Sequence, residues 1–347
     1  MTITFRQSPR LTGELFTHYM NEMSSTVFDD RWILAQRPAK NPVNPWRPYS
    51  HWVEKERTPD GRIEDVATIF LTNRECPFRC LMCDLWKNTT DDRVPDGAIP
   101  AQIRWALERL APARHVKLYN SGNFFDAQAI PPADFPAIAM LLESFQTVIV
   151  ESHPRLVNKS CLAWRDLLKP RLQVAMGLET VHPEVLKRLN KRMTLKDFER
   201  ATQYLTQNGI LVRAFVLLRP PFLDELDGRK WAKRSIDFAF NVGVECCVII
   251  PTRGGNGAME RLQERGLFSS PRIESLEEVL EYGIRLKRGR VFADLWDIEK
   301  FASCAICRAK RLQRMRRLNL TQMIEPFIHC DCNQDMMSRE NAKVAVS

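Results

Sequence analysis

Three cysteines set the first constraint. Cys76, Cys80 and Cys83 stand in Thr72-Asn73-Arg74-Glu75-Cys76-Pro77-Phe78-Arg79-Cys80-Leu81-Met82-Cys83. A tight thiolate triad on a loop is an iron–sulfur or zinc site before anything else. A structural zinc is normally closed by a fourth protein ligand, whereas a catalytic metal keeps one position open. A cubane cluster held by three thiolates leaves one iron free for a substrate or cofactor. A second set, Cys304-Ala305-Ile306-Cys307 and His329-Cys330-Asp331-Cys332, lies late in the chain. Two close pairs across such a loop have the spacing of a four-thiolate zinc site, with a second iron–sulfur cluster as the alternative and His329 as a substitute for one cysteine. Cys161, Cys246 and Cys247 fit no ligand spacing and are expected to be buried small hydrophobes.

The elements that position these groups come next. Short apolar runs alternate with amphipathic helices. Strands are predicted at 66–71, 115–119, 147–151, 173–177, 211–216 and 246–250, rich in Val and Ile and continuous, as strands buried on both faces should be. Between them, Ile103, Ala106, Leu107 and Leu110 share a helix face. Thr194 and Asp197 make a capping box and Gly209 a stop, and Pro183 suits a first turn. Repeated strand–helix units give an α/β fold with a parallel sheet, a partial (β/α)6-type or full TIM-like barrel. The expected organisation is an N-terminal extension over 1–65, a barrel over 66–297 and a cysteine-rich metal-binding segment over 298–347. Asn41-Pro42-Val43-Asn44-Pro45-Trp46-Arg47-Pro48-Tyr49 reads as an extended arm. Its Trp46, Arg47 and Tyr49, with Trp52, either pack on the barrel or stack on a base.

Active sites of such barrels sit at the C-terminal ends of the strands. Those ends are polar here. They carry the cysteine loop, Asn120-Ser121-Gly122-Asn123, Glu151-Ser152-His153, Gly177-Leu178-Glu179-Thr180, Arg219-Pro220-Pro221 and Arg253-Gly254-Gly255-Asn256-Gly257. One polar strand end means little, but a whole rim of them reads as a site.

The triad, with Phe78 just before its second cysteine, resembles the signature of the radical S-adenosylmethionine (SAM) superfamily. The resemblance implies a four-iron (4Fe-4S) cluster at Cys76, Cys80 and Cys83 that cleaves SAM to methionine and a 5′-deoxyadenosyl radical. It implies an electron donor such as flavodoxin or ferredoxin. It places Ser121, Gly122 and Asn123 at the methionine amino group, with Asn123 where the family has an acidic residue. It places Glu179 at the ribose and gives Arg213 the methionine carboxylate. Glu151, His153 and Arg253 then face the substrate. Each also has a plain reading as a strand-end ion pair or a structural residue.

The order of features, including Gly177-Leu178-Glu179-Thr180, Leu320-Thr321-Gln322 and Cys330-Asp331-Cys332, is similar to the archaeosine-forming radical SAM enzymes and, more distantly, to the radical SAM module of the elongator catalytic subunit. Those relatives have a longer gap before the last two cluster cysteines. The resemblance implies a lyase-type step on a transfer RNA nucleoside.

Composition bounds the alternatives. The 347 residues are 44% hydrophobic, enough for a sizeable core, and carry a formal net charge of +9, which favours an anionic partner such as RNA. Basic residues cluster at 285–290 and 308–317, as solvated helix faces or as RNA contacts. No apolar run is long enough to span a membrane, and no signal-peptide core is evident at the start. Clustered cysteines of this kind suit a reducing cytoplasm. Two other functions stay open: a radical SAM enzyme of a small metabolite or lipid, and a metal-stapled RNA-binding protein without catalysis.

Overall fold

The structure, a computed structural model, describes residues 28–333. The outer parts of the expected N-terminal extension and C-terminal segment, residues 1–27 and 334–347, lie outside the described residues. One sheet holds eight strands in chain order: β1 Ser50–Arg57, β2 Ile63–Phe70, β3 His115–Tyr119, β4 Thr147–Glu151, β5 Arg171–Glu179, β6 Leu211–Leu218, β7 Cys246–Pro251 and β8 Arg290–Ala293. Only β1 runs antiparallel; β2 to β8 pair in parallel. The helices are α1 Asp30–Gln36, α2 Ala98–Leu107, α3 Phe135–Leu141, α4 Lys159–Leu167, α5 Pro183–Arg188, α6 Leu195–Gln207, α7 Glu225–Asn241, α8 Ala258–Glu264, α9 Ile273–Leu286 and α10 Arg308–Thr321.

Alternation along each strand divides inside from outside. Ile69, Leu118, Val150, Val174, Val212 and Ile249 face outward into one core shared with the helices, and all are fully buried. The alternate residues, among them Thr68, Lys117, Arg213 and Arg290, face the interior. Local signals set the helices. Thr194 and Asp197 form a reciprocal capping box at α6, Pro183 opens α5, and Gly209 stands just past α6 at φ +71°.

β1 and β8 are the two edges, and side chains bridge the seam between them. The Arg290 guanidinium donates to the Arg57 carbonyl at 2.6 Å and lies 3.3 Å from the Glu56 carboxylate. The Trp52 ring stacks on Trp296, which follows β8, at 5.3 Å and 18°. Helix α10 covers the seam. Its Leu320 carbonyl accepts from Arg57. The Asn319 amide bonds both backbone groups of Ala293, and Gln322 does the same for Val291. Two side-chain amides thus satisfy the free edge of β8. The sheet is a curled, partial barrel.

The N-terminal end of this barrel is plugged by charge. Arg213 binds Glu56 through both its terminal nitrogens, Lys117 lies 2.7 Å from Glu56, and Arg290 pairs with Glu245. Burial alone would raise the Glu56 carboxyl, but Arg213 and Lys117 hold it well below the usual range. Two strands were hidden from the sequence reading for this reason. In β1, Glu54 and Glu56 point inward to Lys117 and Arg213, so Ser50–Arg57 reads as a polar arm. In β8, Arg290 belongs to an apparent basic run, yet it is a buried member of the plug.

Candidate active site

The cysteine loop leaves the C-terminal end of β2 and is clamped from several sides. Gln102 of α2 bonds both backbone groups of Thr72. Glu75 pairs with Arg37, Lys40 and Arg79. The Asn190 amide donates to the Arg79 carbonyl, and the Asn256 amide to those of Leu81 and Cys83. Phe78 stacks flat on His153 at 3.8 Å and 14°. The three sulfurs converge, because each is felt electrostatically by another of the set. Burial pushes the Cys76 thiol up to about 11 and those of Cys80 and Cys83 up to about 12. A tetrahedral zinc about 2.3 Å from each sulfur would draw them to about 3.8 Å. Three thiolates leave one metal coordination position open, as a cluster with a free iron requires.

The loop after β3 forms the adjoining wall. Gly122 packs so closely that a Cβ there would lie 2.9 Å from that of Cys76. The Asn123 amide donates to the Cys76 sulfur at 3.0 Å, and its carbonyl accepts the His153 N–H. The Glu151 carboxylate is held by the N–H groups of Asn120, Ser121 and Gly122, the first at 3.1 Å. Burial pushes its pKa up to about 7 against those three donors. Tyr49 meets the Ser121 hydroxyl at 3.1 Å.

Glu151 and His153, expected to face the substrate, have these partners in the fold. Glu151 shapes the Asn120–Gly122 turn through those backbone N–H groups. His153 has both ring nitrogens engaged: Nε2 donates to the Lys191 carbonyl at 2.9 Å, and Nδ1 accepts the Arg155 N–H at 3.2 Å. Burial and then Lys191 push it down to about 3, so it stays neutral. It is a packing support for Phe78, with no nitrogen left for a proton relay.

Glu179 closes β5 at φ +63°, next to a register shift at Gly177. Its carboxylate is 2.6 Å from the Lys191 ammonium, and both side chains are nearly buried. A Cβ on Gly177 would collide with both groups, so the pair needs a glycine beneath it. Lys191 is also the cation felt by Cys76 and Cys80. The sequence reading missed it, because Leu189-Asn190-Lys191-Arg192 looks like a solvated helix end. The signal was there in Asn190, which takes φ +51° and aims the loop inward.

Arg213, expected at the methionine carboxylate, is not on this rim. It pairs with Ala175 and Cys246 near the start of β6 and is spent on Glu56 in the plug. Lys191 is the buried cation beside the thiolates instead. Arg253 does stand on the rim. Its guanidinium is 2.8 Å from Asp294 and donates to the Trp296 carbonyl at 2.5 Å.

The second cysteine set is a metal centre in its own right. The sulfurs of Cys304, Cys307, Cys330 and Cys332 all lie within 4.8 Å of one another. Two of the separations, Cys304 to Cys330 at 3.8 Å and Cys307 to Cys332 at 3.7 Å, match the tetrahedral spacing. His329 is not in this set. Backbone N–H groups of Cys307 and Ile306 pull the Cys304 thiol down to about 6. The basic run beside it is divided: Lys310, Arg316 and Arg317 are exposed, whereas two of its arginines are spent inside the fold. Arg311 and Arg314 are fully buried against Glu277 and Glu281, Arg311 also reaches the Cys307 sulfur at 3.1 Å, and Arg317 is tied to Glu325. Three-residue spacing puts Arg311 and Arg314 on the inner helix face, which composition alone conceals.

No family model matches the chain. Its sequence is similar to archaeosine synthase subunit beta of Methanosarcina acetivorans, 26% identical over 341 residues covering 89% of this chain and 93% of the relative. It is 28% identical over 215 residues to archaeosine synthase subunit beta of Thermococcus kodakarensis, covering 59% of this chain and 66% of the relative. Among solved structures it is similar to the archaeal Elp3 of Methanocaldococcus infernus, with a TM-score of 0.49, 18% identity, and 63% of this chain and 59% of that one covered. The chain thus spans about three fifths of that Elp3 chain. The thiolate triad stands on the rim of a fold of the kind these similar proteins share. In sequence the chain resembles the archaeosine synthase beta subunits.

Proposed function

We propose that Cys76, Cys80 and Cys83 hold a four-iron cluster and that the enzyme modifies a transfer RNA nucleoside by a lyase-type step. The observation that carries the reading is the buried thiolate triad on the barrel rim, each sulfur within electrostatic reach of another of the set. The cluster, when bound, supplies the electron that cleaves SAM to the 5′-deoxyadenosyl radical, drawn from a donor such as a flavodoxin or ferredoxin. The chain's own residues do the rest. The Asn120–Gly122 turn, fixed by Glu151, offers backbone groups to the methionine amino group. Lys191 is the cation for the methionine carboxylate, and Glu179 both balances that charge and receives the ribose. Asn123 donates to a ligand sulfur, and His153 with Phe78 holds the loop around it.

Archaeosine is a modified tRNA nucleoside, and the net charge of +9 suits a polyanion. The four C-terminal cysteines are assigned one structural zinc, on their sulfur separations. The barrel unit is drawn from β1 onward, since β1 is integral to the sheet, with the metal segment following from about residue 298. No helix among the described residues is long and apolar enough to cross a membrane, and clustered free thiols suit a reducing cytoplasm.

The test is anaerobic reconstitution with iron and sulfide, reduction by dithionite, and mass spectrometry of bulk tRNA incubated with the enzyme and SAM. Formation of 5′-deoxyadenosine and a mass change in one nucleoside are expected. Alanine at any of the three cysteines should abolish both. A triple alanine variant that still forms 5′-deoxyadenosine would sink the cluster assignment, and unchanged tRNA beside active SAM cleavage would sink the substrate.

A further inference from the structure

The barrel interior is lined on one side by rings in continuous contact. Trp52 meets Phe70 at 4.8 Å, Phe70 meets Tyr119 at 5.7 Å, and Tyr119 meets Phe215 at 6.3 Å. Rings of the outer core, such as Phe124, Trp164 and Phe198, are fully buried. The four interior rings are not, although they stand in the middle of a sheet. They line the barrel interior, the chamber enclosed by the sheet, without being wholly covered.

Trp296 sits at the mouth of that chamber and is 58% exposed. One face of its indole rests on Trp52 and the other is open. Its backbone is fixed on both sides: the carbonyl accepts from Arg253, the N–H donates to Asp294 at 3.1 Å, and Arg253 and Asp294 are themselves paired. An exposed tryptophan held rigid in this way loses little freedom when a flat ring stacks on it. On the β4 and β5 side of the same rim stand the exposed Arg155, Lys187 and Arg192, with Arg31 of α1 beside them, which suits a phosphate backbone. Every base has a π-face, so a ring platform on a rim that also carries cations on its far side is an arrangement that can receive an unpaired nucleotide.

We infer that Trp296, backed by Trp52 and pinned by Arg253, is the platform on which a base of the RNA stacks as it enters the chamber, passing on to Phe70 and Tyr119. The inference rests on the tRNA reading above and adds the place of first contact. It also gives Arg253 a positioning role.

The experiment measures binding of unfractionated tRNA, prepared from cells lacking the enzyme, by fluorescence anisotropy at low and moderate salt. Trp296→Ala should weaken binding roughly 5- to 150-fold, the range for loss of one base–aromatic stack. Trp296→Phe should retain most of the affinity. Both variants should keep the wild-type metal content and uncoupled SAM cleavage, with at most a small fall in melting temperature for Trp296→Ala from the lost contact with Trp52. Arg253→Gln should weaken binding in the same direction and by less. Wild-type binding that Trp296→Ala leaves unchanged would overturn the platform while leaving tRNA as substrate. Absence of salt-dependent tRNA binding by the wild type would overturn both.

Discussion

Lys191 and Glu179 offer the sharpest test of how this site is built. Their charged groups are 2.6 Å apart with side-chain exposures of 8% and 9%, over a glycine that has no room for a methyl group. Removing one partner of a buried pair leaves an uncompensated charge and costs about 3–5 kcal/mol, whereas removing both can be close to neutral. Lys191→Met and Glu179→Gln should therefore each destabilise the protein by about 3–5 kcal/mol. The double variant should be no worse than either single one, a coupling that a double-mutant cycle reads directly. At about 2 °C per kcal/mol for a chain of this size, each single change lowers the melting temperature by about 6–10 °C. The measurement is thermal unfolding of the metal-depleted protein, repeated after reconstitution. The reconstituted Lys191→Met variant should also bind SAM more weakly, because the methionine carboxylate loses its cation. Folded-state burial beside a carboxylate raises the Lys191 pKa. The pair's contribution is thus complete below the unfolded lysine value of about 10.4 and is lost as pH rises through the folded value. If the single changes cost under about 1 kcal/mol, or the double variant costs their sum, the two groups do not compensate one another and the reasoning fails.

Three further outcomes follow from the same geometry. Elemental analysis should find about one zinc per chain, retained in a Cys76/Cys80/Cys83 alanine variant; iron and sulfide persisting there would assign the C-terminal cysteines to a second cluster. His153 titrates at about 3 in the fold against about 6.5 when unfolded, so its contribution is complete above pH 6.5 and declines as pH falls towards 3. The loss at pH 5 is about 2 kcal/mol, and urea unfolding of His153→Phe should lack that acid-sensitive component. Arg311→Ala should cost about 3–5 kcal/mol by stranding Glu277 in the core, whereas Lys310→Glu on the exposed face should leave stability within about 0.5 kcal/mol; equal stability of the two would refute burial of the basic run.

The sequence displayed what depends on local chemistry. Six parallel strands were legible because Val and Ile runs such as Val148-Ile149-Val150 need no partner to be recognised. The capping box at Thr194 and the triad at Cys76 were legible for the same reason. What stayed hidden depends on long-range pairing. Glu54 and Glu56 look like surface residues until Lys117 and Arg213 are placed opposite them, 63 and 157 residues away. Arg213 looked like a ligand because a charged residue in an apolar strand asks for a partner, and the partner was a strand that the pattern did not reveal. Arg311 and Arg314 looked like an RNA contact because Glu277 and Glu281 lie on another helix. Lys191 was overlooked because only the fold brings it to Cys80.

The helix α10 amides that bond the free edge of β8 have a consequence for the behaviour of the protein in solution. An exposed parallel strand edge is a template on which another chain can add by backbone pairing, and proteins blunt such edges or pay in aggregation. Here Asn319 and Gln322 occupy the positions an adjoining strand would take, and they are held there by a helix whose first residue follows Cys307. Stripping the metal from Cys304, Cys307, Cys330 and Cys332 would loosen the helix at its start and uncover Val291 and Ala293. The metal-free protein should then self-associate through β8 before it unfolds, so that light scattering on chelation precedes the loss of helical signal, and metal supply sets solubility as well as shape.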